Sequence, residues 1–218
     1  MKCVLCDQRK GKRPCPAKGG LICAQCCGEK RVLEINCPEH CEYLILGRAH
    51  ESREYTRYLY ALDPAKREVH QRVLSENGDV VAHVEAVLAQ VRLTMRDLTD
   101  LDAAKALDLL LENYRTEDKG VLYERTAEDL QIESLRRELR DVIEFHRSPG
   151  QDDAKGIVGS QEKRLLLKSA IECLGFVRDL VGSHLANSKS PTSYVDLLAR
   201  LVPGVQSTSD ARRSIIIP

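Results

Sequence analysis

Residues 1–41 read MKCVLCDQRKGKRPCPAKGGLICAQCCGEKRVLEINCPEHC. They contain eight of the nine cysteines, and the remaining 177 residues contain only Cys173. A short segment with so few large apolar side chains cannot build a hydrophobic core, and metal–thiolate bonds are the common substitute for one. The sequence therefore predicts a folded, cysteine-rich metal module over residues 1–45.

The eight cysteines can be divided into two interleaved sets of four. The Cys-x2-Cys spacing of Cys3 with Cys6, and of Cys23 with Cys26, is typical of tetrahedral zinc, because a tight turn directs both thiolates at one ion about 2.3 Å away. Adjacent residues point in divergent directions, so we expect Cys27 to serve a different ion from Cys26. We predict two structural Zn²⁺ ions, held by Cys3, Cys6, Cys23 and Cys26 (first set) and by Cys15, Cys27, Cys37 and Cys41 (second set).

The fourth ligand of the second set has a competitor in His40. Cys37 and Cys41 lie four residues apart around Pro38, and proline favours the first turn of a helix. A helix from about residue 39 would place both thiolates on one face at the positive end of the helix dipole, which lowers the pKa of a thiol. The same spacing leaves His40 pointing away. Cys41 is therefore the expected ligand, with His40 as the alternative.

Three other chemistries compete with structural zinc. Disulfides require an oxidising compartment, and the N-terminus shows no apolar run of signal-peptide length. An iron–sulfur cluster usually has a Cys-x2-Cys-x2-Cys run, which this sequence lacks. A zinc–thiolate redox sensor, which releases its metal on oxidation, remains an alternative function.

The interleaved ligand order resembles the cross-braced double-zinc fingers of the RING, MYND and HIT type, with a knuckle-plus-helix arrangement like that of treble-clef sites. The resemblance covers about the first 45 residues. It departs from the pattern at Cys15-Pro16, where Lys18 stands in place of the second cysteine of a knuckle. The resemblance implies a protein-interaction module and does not extend to the ubiquitin-ligase activity of some RING members.

Basic residues in and after the module raise a second hypothesis, an RNA- or DNA-associated factor. Residues 1–50 carry nine Lys/Arg against five Asp/Glu, a formal excess of four. Phosphate contacts would use such charges, but two tetrathiolate zinc sites of net charge −2 each would also cancel the excess. Tyr55 and Tyr58 lie beside Arg53 and Arg57, where they could stack on bases. Their spacing also fits the buried stripe of a helix. The candidate nucleic-acid-binding residues are Lys10, Lys12, Arg13, Lys30, Arg31, Arg53 and Arg57.

The sequence of residues 46–202 predicts an all-α helical bundle of about six helices. The predicted fold class of the chain is therefore mainly α. Charged residues make up 30% of the chain and aromatic residues 4%, which suits helices with aliphatic stripes and charged faces. Asn77-Gly78 is expected to break or kink a long helix, and Thr99 with Asp102 resembles a capping box. Residues 148–159 are predicted to be a polar linker or mobile loop.

Residues 203–218 form a predicted C-terminal tail with a strand-like end. Ile215, Ile216 and Ile217 are three consecutive β-branched residues, which favour a strand that could pair with the zinc module or with a partner. Self-association through this tail or through the helical stripes is a further possibility.

No catalytic motif emerges from the sequence, and Cys173 lies on an apolar face typical of core packing. We therefore expect a non-enzyme without a small-molecule substrate. A net charge of zero and the lack of a long apolar run argue against a membrane partner. The sequence favours a cytoplasmic adaptor or regulatory protein whose zinc finger and helical bundle bind another protein.

Overall fold

The computed structural model describes residues 1–148 and 164–202, and these are mainly helical. Two short strands form an antiparallel hairpin, with Arg13 opposite Ile22 and Cys15 opposite Gly20. A 3₁₀ turn at Pro64–Lys66 precedes the third helix. The elements are β1 (Arg13–Cys15), β2 (Gly20–Ile22), α1 (Ala24–Lys30), α2 (Glu42–Tyr60), α3 (Arg67–Thr94), α4 (Asp100–Asp118), α5 (Leu130–Arg147), α6 (Leu167–Asn187) and α7 (Ser193–Leu201).

The hairpin and α1 build the N-terminal module, defined here as residues 1–41. The chain before β1 runs alongside the hairpin, because the Val4 amide donates to the Leu21 carbonyl and the Lys12 amide to the Ile22 carbonyl. Gly11 makes this close approach possible: a Cβ at this position would stand 2.6 Å from the Leu21 carbonyl oxygen. Apart from cysteines, the buried apolar side chains of this cluster are Ile22 and Ile35 alone. The module therefore has almost no hydrophobic core of its own.

Helices α2 to α7 form the helical body, which agrees with the predicted bundle of about six helices. Its core is aliphatic: Val84, Leu88, Leu107, Leu139 and Leu180 are fully buried. Complete burial of a side chain of this kind contributes about 1.5–3 kcal/mol. The core therefore accounts for a stable bundle without any ligand.

Local sequence signals set several helix boundaries. Asn77 has non-helical backbone angles inside α3, which confirms the predicted kink. Thr99 and Asp102 form the expected reciprocal capping box at the start of α4. Helix α2 begins at Glu42 with Cys41 as its N-cap, three residues later than predicted. The reason is that residues 38–41 form a turn, in which the Cys41 amide donates to the Pro38 carbonyl.

Buried polar groups attach α7 to the other helices of the body. Asp100 of α4 is fully buried and accepts hydrogen bonds from the amides of Tyr194 and Val195 at the start of α7. The Tyr194 and Tyr55 hydroxyls both donate to Glu85 Oε1, at 2.6 and 2.7 Å. Helices α2, α3 and α7 are thereby joined.

The predicted polar linker, apart from Ser148, lies outside the described residues, as does the predicted tail with Ile215, Ile216 and Ile217. Among the helices that the structure describes, none combines the length and the apolar character needed to cross a lipid bilayer.

Candidate metal centre

The first predicted set of cysteines converges on one point. The sulfur atoms of Cys3, Cys6, Cys23 and Cys26 all lie within 4.8 Å of one another. Tetrahedral zinc with four bonds of about 2.3 Å has sulfur–sulfur distances of about 3.8 Å, so the cluster is the right size for one ion. Within the described part of the chain, no other group of three or more potential ligands is as tightly gathered. The four residues form a candidate metal centre of the kind found in zinc fingers.

Backbone geometry explains why these four side chains meet. The Asp7 amide donates to the Cys3 carbonyl, which closes a tight turn over Cys3–Asp7, with Asp7 in the left-handed region at φ 50°. Cys23 is the N-cap of α1, so Cys26 lies in the first turn of this helix. The Cys26 amide donates to Cys23 Sγ at 3.3 Å, and the Cys23 amide donates to Cys3 Sγ at 3.2 Å. Backbone N–H groups thus face the sulfurs, as they do around thiolate–metal sites.

Arg9 supplies a positive charge to the same cluster. Its Nε donates to Cys23 Sγ at 3.3 Å, and its Nη2 donates to Cys26 Sγ at 3.7 Å. These hydrogen bonds raise the pKa of the Arg9 guanidinium. Four thiolates around one Zn²⁺ carry a net charge of −2, which a neighbouring guanidinium partly offsets. Arg9 thus acts as an outer partner of the cluster.

The thiols of the cluster have unequal acidities. Burial alone would raise the pKa of Cys3, but backbone hydrogen bonds from Cys23, Cys6 and Leu5 lower it to about 6. The hydrogen bond from the Cys26 amide lowers the pKa of Cys23. The pKa of Cys26 is raised to about 11, because burial and the neighbouring cysteines outweigh the hydrogen bond from Arg9. Two of these thiols are therefore prepared for ionisation, and a divalent cation would favour it in all four.

The second predicted set is close together but less tightly gathered. Cys37 packs against the buried cluster that contains Cys15 and Cys27, and also against the one that contains Cys41. Burial raises the pKa of the Cys37 thiol, and the other three cysteines of the set raise it further. Cys37 therefore lies near the other three cysteines of the second set, but the sulfurs of this set do not gather as those of the first set do.

A surface groove of about 550 Å³ opens beside the second set, lined by Cys15 and Cys41 among others. His40 also lines this groove and is exposed. Pro14, Pro16 and Tyr43 make much of the remaining wall apolar. His40 thus lies near the second set without being buried in it, and both candidates for the fourth ligand remain near the site.

Comparisons with known proteins give no matching family model, no similar curated protein and no similar solved structure. The cysteine geometry is thus the main guide to function. The fold is mainly helical with a two-stranded N-terminal hairpin.

The module rests on the helical body through a buried ion cluster that the sequence did not reveal. The Arg31 guanidinium donates to Glu51 of α2, and the Glu51 side chain is only 6% exposed. Arg31 crosses α2 at Gly47, where a Cβ would stand 2.4 Å from the guanidinium carbon. Arg200 of α7 approaches the same Glu51 carboxylate at 3.9 Å and donates to the Glu29 carbonyl at 3.3 Å.

Apolar contacts reinforce this junction. Val32 and Cys41 are buried in one cluster with Leu44 of α2, Leu93 of α3 and Ala199 of α7. A hydrogen bond adds to these apolar contacts: the Arg48 Nε of α2 donates to the Arg200 carbonyl of α7 at 3.2 Å. Arg31 and Val32 therefore face the helical body, whereas the hairpin turn at Pro16–Gly19 is exposed.

The candidate nucleic-acid-binding residues are separated by the fold. Arg31 is occupied at the junction, Lys30 pairs with Glu34, and Arg57 pairs with Glu54. Arg53 donates to the Ala49 carbonyl of its own helix. The other three are on or near the hairpin: Lys10 and Lys12 are exposed, and Arg13 lies over the Tyr43 ring at 4.9 Å.

The remaining side chains of interest belong to the core. Tyr55 and Tyr58 pack against the main hydrophobic cluster, as the helical spacing predicted. Cys173 is fully buried, and burial raises the pKa of its thiol to about 12, so it is far from a reactive thiolate.

Two features of the junction and the centre were not assigned from the sequence. In the sequence, Arg9 is one charge among several in a basic segment, although basic partners are usual around thiolate sites. The Arg31–Glu51 pair joins residues 20 positions apart on different elements, so no local pattern indicates it.

Proposed function

We propose that the chain binds two structural zinc ions and acts as a non-enzymatic adaptor or regulatory protein. The observation that carries the zinc assignment is the four-sulfur cluster of Cys3, Cys6, Cys23 and Cys26. Tetrahedral all-thiolate sites prefer zinc and are usually structural, because they leave no open coordination position for a substrate. The absence of a catalytic motif in the sequence fits a binding role.

The second zinc ion would be held by Cys15, Cys27, Cys37 and Cys41. Support comes from the shared surroundings of the four side chains and from the shortage of apolar residues in the module, which leaves metal bonds as its main source of stability.

Zinc content measured by mass spectrometry tests the second ion. We expect two zinc ions per chain in the wild type, one in Cys37→Ser and one in Cys41→Ser. His40→Ala should retain two if Cys41 is the ligand. One zinc in the wild type, or loss of one ion in His40→Ala but none in Cys41→Ser, would contradict the proposed ligand set.

The adaptor role would use the exposed side of the module. Lys10, Lys12 and the hairpin turn at Pro16–Gly19 are exposed. Pro14 and Pro16 line the groove together with Tyr43, and Arg13 lies over the Tyr43 ring. Arg31 and Val32 are occupied by contacts with the helical body, so we take the hairpin as the main part of the proposed interaction surface. A rigid, metal-held loop fixed on a helical support suits recognition, since little conformational entropy is lost on binding.

Affinity capture with matched variants tests this role. Lys12→Glu/Arg13→Glu reverses two hairpin charges, and Lys105→Glu/Lys119→Glu reverses two exposed charges on the helical body. A protein partner retained by the wild type and the control but lost with the hairpin variant would support the proposal. Identical capture by all three would contradict it.

Binding measured across a salt series separates the nucleic-acid alternative. A protein that contacts phosphates loses affinity steeply as salt rises. Capture that nuclease treatment abolishes, together with salt-dependent RNA or DNA binding by the wild type, would replace the adaptor role with the nucleic-acid one.

A further inference from the structure

Two histidines far apart in sequence meet on the surface of the helical body. His83 lies on α3 and His146 near the end of α5. Their ring nitrogens, Nδ1 of His83 and Nε2 of His146, are 3.1 Å apart. Neither residue belongs to the cysteine centre or its junction with the body.

From this arrangement we propose that His83 and His146 form a divalent transition-metal site, separate from the cysteine centre, for an ion such as Zn²⁺ or Ni²⁺. Imidazole nitrogen is a preferred ligand of these ions. Water molecules would fill the remaining positions. An ion held this way is exchangeable, unlike one enclosed by four thiolates.

The distance between the two nitrogens fits a shared ion. Two nitrogens, each about 2.0–2.1 Å from one metal, stand about 2.9 Å apart at a right angle and about 3.4 Å apart at the tetrahedral angle. The observed 3.1 Å lies between these limits. The packing of α3 against α5 thus already brings the two nitrogens to the spacing of shared ligands. The rings now point almost directly at each other, with 5.3 Å between their centroids, and would turn to direct both lone pairs at one ion.

The protonation state of the pair also suits binding. Desolvation lowers the pKa of His83, and the neighbouring His146 lowers it further, so this ring is neutral at neutral pH. A neutral imidazole has one N–H and one lone pair. An ion would replace the hydrogen bond between the rings. The ring that now donates would move its proton from its inner to its outer nitrogen, so that Nδ1 of His83 and Nε2 of His146 would both offer a lone pair.

Phe145 shields one side of the pair. Its ring meets His83 edge-on at 6.0 Å and His146 at 5.3 Å between centroids. The Phe145 ring is 60% exposed, and it adds an apolar neighbour beside both imidazoles.

Titration of the zinc-loaded protein with Ni²⁺, followed by NMR, tests the site. Ni²⁺ is paramagnetic, so the signals of residues close to it broaden first. We expect the broadening to centre on His83 and His146 and the affinity to fall in His83→Ala and in His146→Ala. The loss should be at least the 10–100-fold that removal of an outer-shell partner costs a metal site.

His50→Ala is the matched control, because His50 is an exposed histidine on α2 outside the pair. It should bind Ni²⁺ as the wild type does. If the alanine variants alter the fold, His83→Gln/His146→Gln keeps the side-chain volume and removes the ring ligands. Equal affinity in the wild type and in the glutamine variant, or broadening centred on His50, would overturn the proposal.

Discussion

The N-terminal module and the helical body are stabilised in opposite ways. The body has a core of fully buried Val and Leu side chains, whereas the module buries mainly sulfur atoms with Ile22 and Ile35. A core of the first kind needs no ligand, whereas a cysteine-rich segment with so few buried apolar side chains is of the kind that metal–thiolate bonds stabilise. We therefore expect metal content to determine the stability of the module and aliphatic packing that of the body. The Arg31–Glu51 contact connects the two regions.

The largest expected effect is that of metal removal. A strong chelator under reducing conditions should abolish hydrogen-exchange protection in residues 1–41, because the metal bonds supply most of the stability of the module. Structural zinc in finger peptides contributes about 10–16 kcal/mol of apparent binding free energy. Amides in α4 and α6 should stay protected. Simultaneous loss of protection in both regions would show that the body depends on the metal as well.

Glu51→Ala should have the next largest effect, because it breaks the junction between the two regions. In this variant the Arg31 and Arg200 guanidinium groups would no longer have the Glu51 carboxylate beside them. Breaking a buried ion pair lowers the free energy of unfolding by about 3–5 kcal/mol. Chemical denaturation measures this loss. Glu34→Ala, which removes the exposed partner of Lys30, is the control and should change the free energy of unfolding much less.

Leu107→Ala tests the body alone. Leu107 is fully buried in α4, and the cavity left by this change costs about 2–5 kcal/mol. Zinc content should not change. Leu101→Ala, at a half-exposed position of the same helix, should cost less than about 0.5 kcal/mol. A loss of zinc in Leu107→Ala would remove the distinction between the two regions.

The first four-cysteine set was predictable because its spacing is local. Each Cys-x2-Cys pair fixes its own turn, and only the meeting of Cys3/Cys6 with Cys23/Cys26 needs the fold. The kink at Asn77 and the capping box at Thr99 are equally local signals. The class of the fold followed from the helical stripes.

Other features depend on contacts that no short pattern encodes. The three-residue strands β1 and β2 have too little periodicity to be recognised, and they exist because hydrogen bonds to the chain before β1 hold them. The burial of Arg31 follows from the way the module lies on Gly47 of α2. A basic residue in a basic segment gives no sign that it will face inward.

We also expect the stability of the body to depend on pH. His184 is buried, and its burial, together with the charge of Arg57, lowers its pKa from 6.5 to about 4. The unfolded chain therefore takes up a proton at a higher pH than the folded chain does. Stability contributed by neutral His184 should be complete above about pH 6.5 and be lost as the pH falls towards 4.

Denaturation of the wild type and of His184→Gln at several pH values isolates this contribution. The imidazole stacks on Tyr58 with 3.5 Å between ring centroids and shares a hydrogen bond with Ser193 at 2.9 Å, so the variant should be less stable at neutral pH. The difference between the two proteins should shrink as the pH falls through this range. A difference that stays constant would contradict the assigned pKa.

The proposed zinc assignment depends above all on one metal ion held by the thiolates of Cys3, Cys6, Cys23 and Cys26. Zinc-edge X-ray absorption of the Cys37→Ser variant examines this ion separately, because the second set is broken there and the signal comes from the first. We expect one zinc ion with four sulfur ligands at about 2.3 Å. A protein without zinc, or an ion with nitrogen or oxygen ligands at about 2.0–2.1 Å, would contradict it.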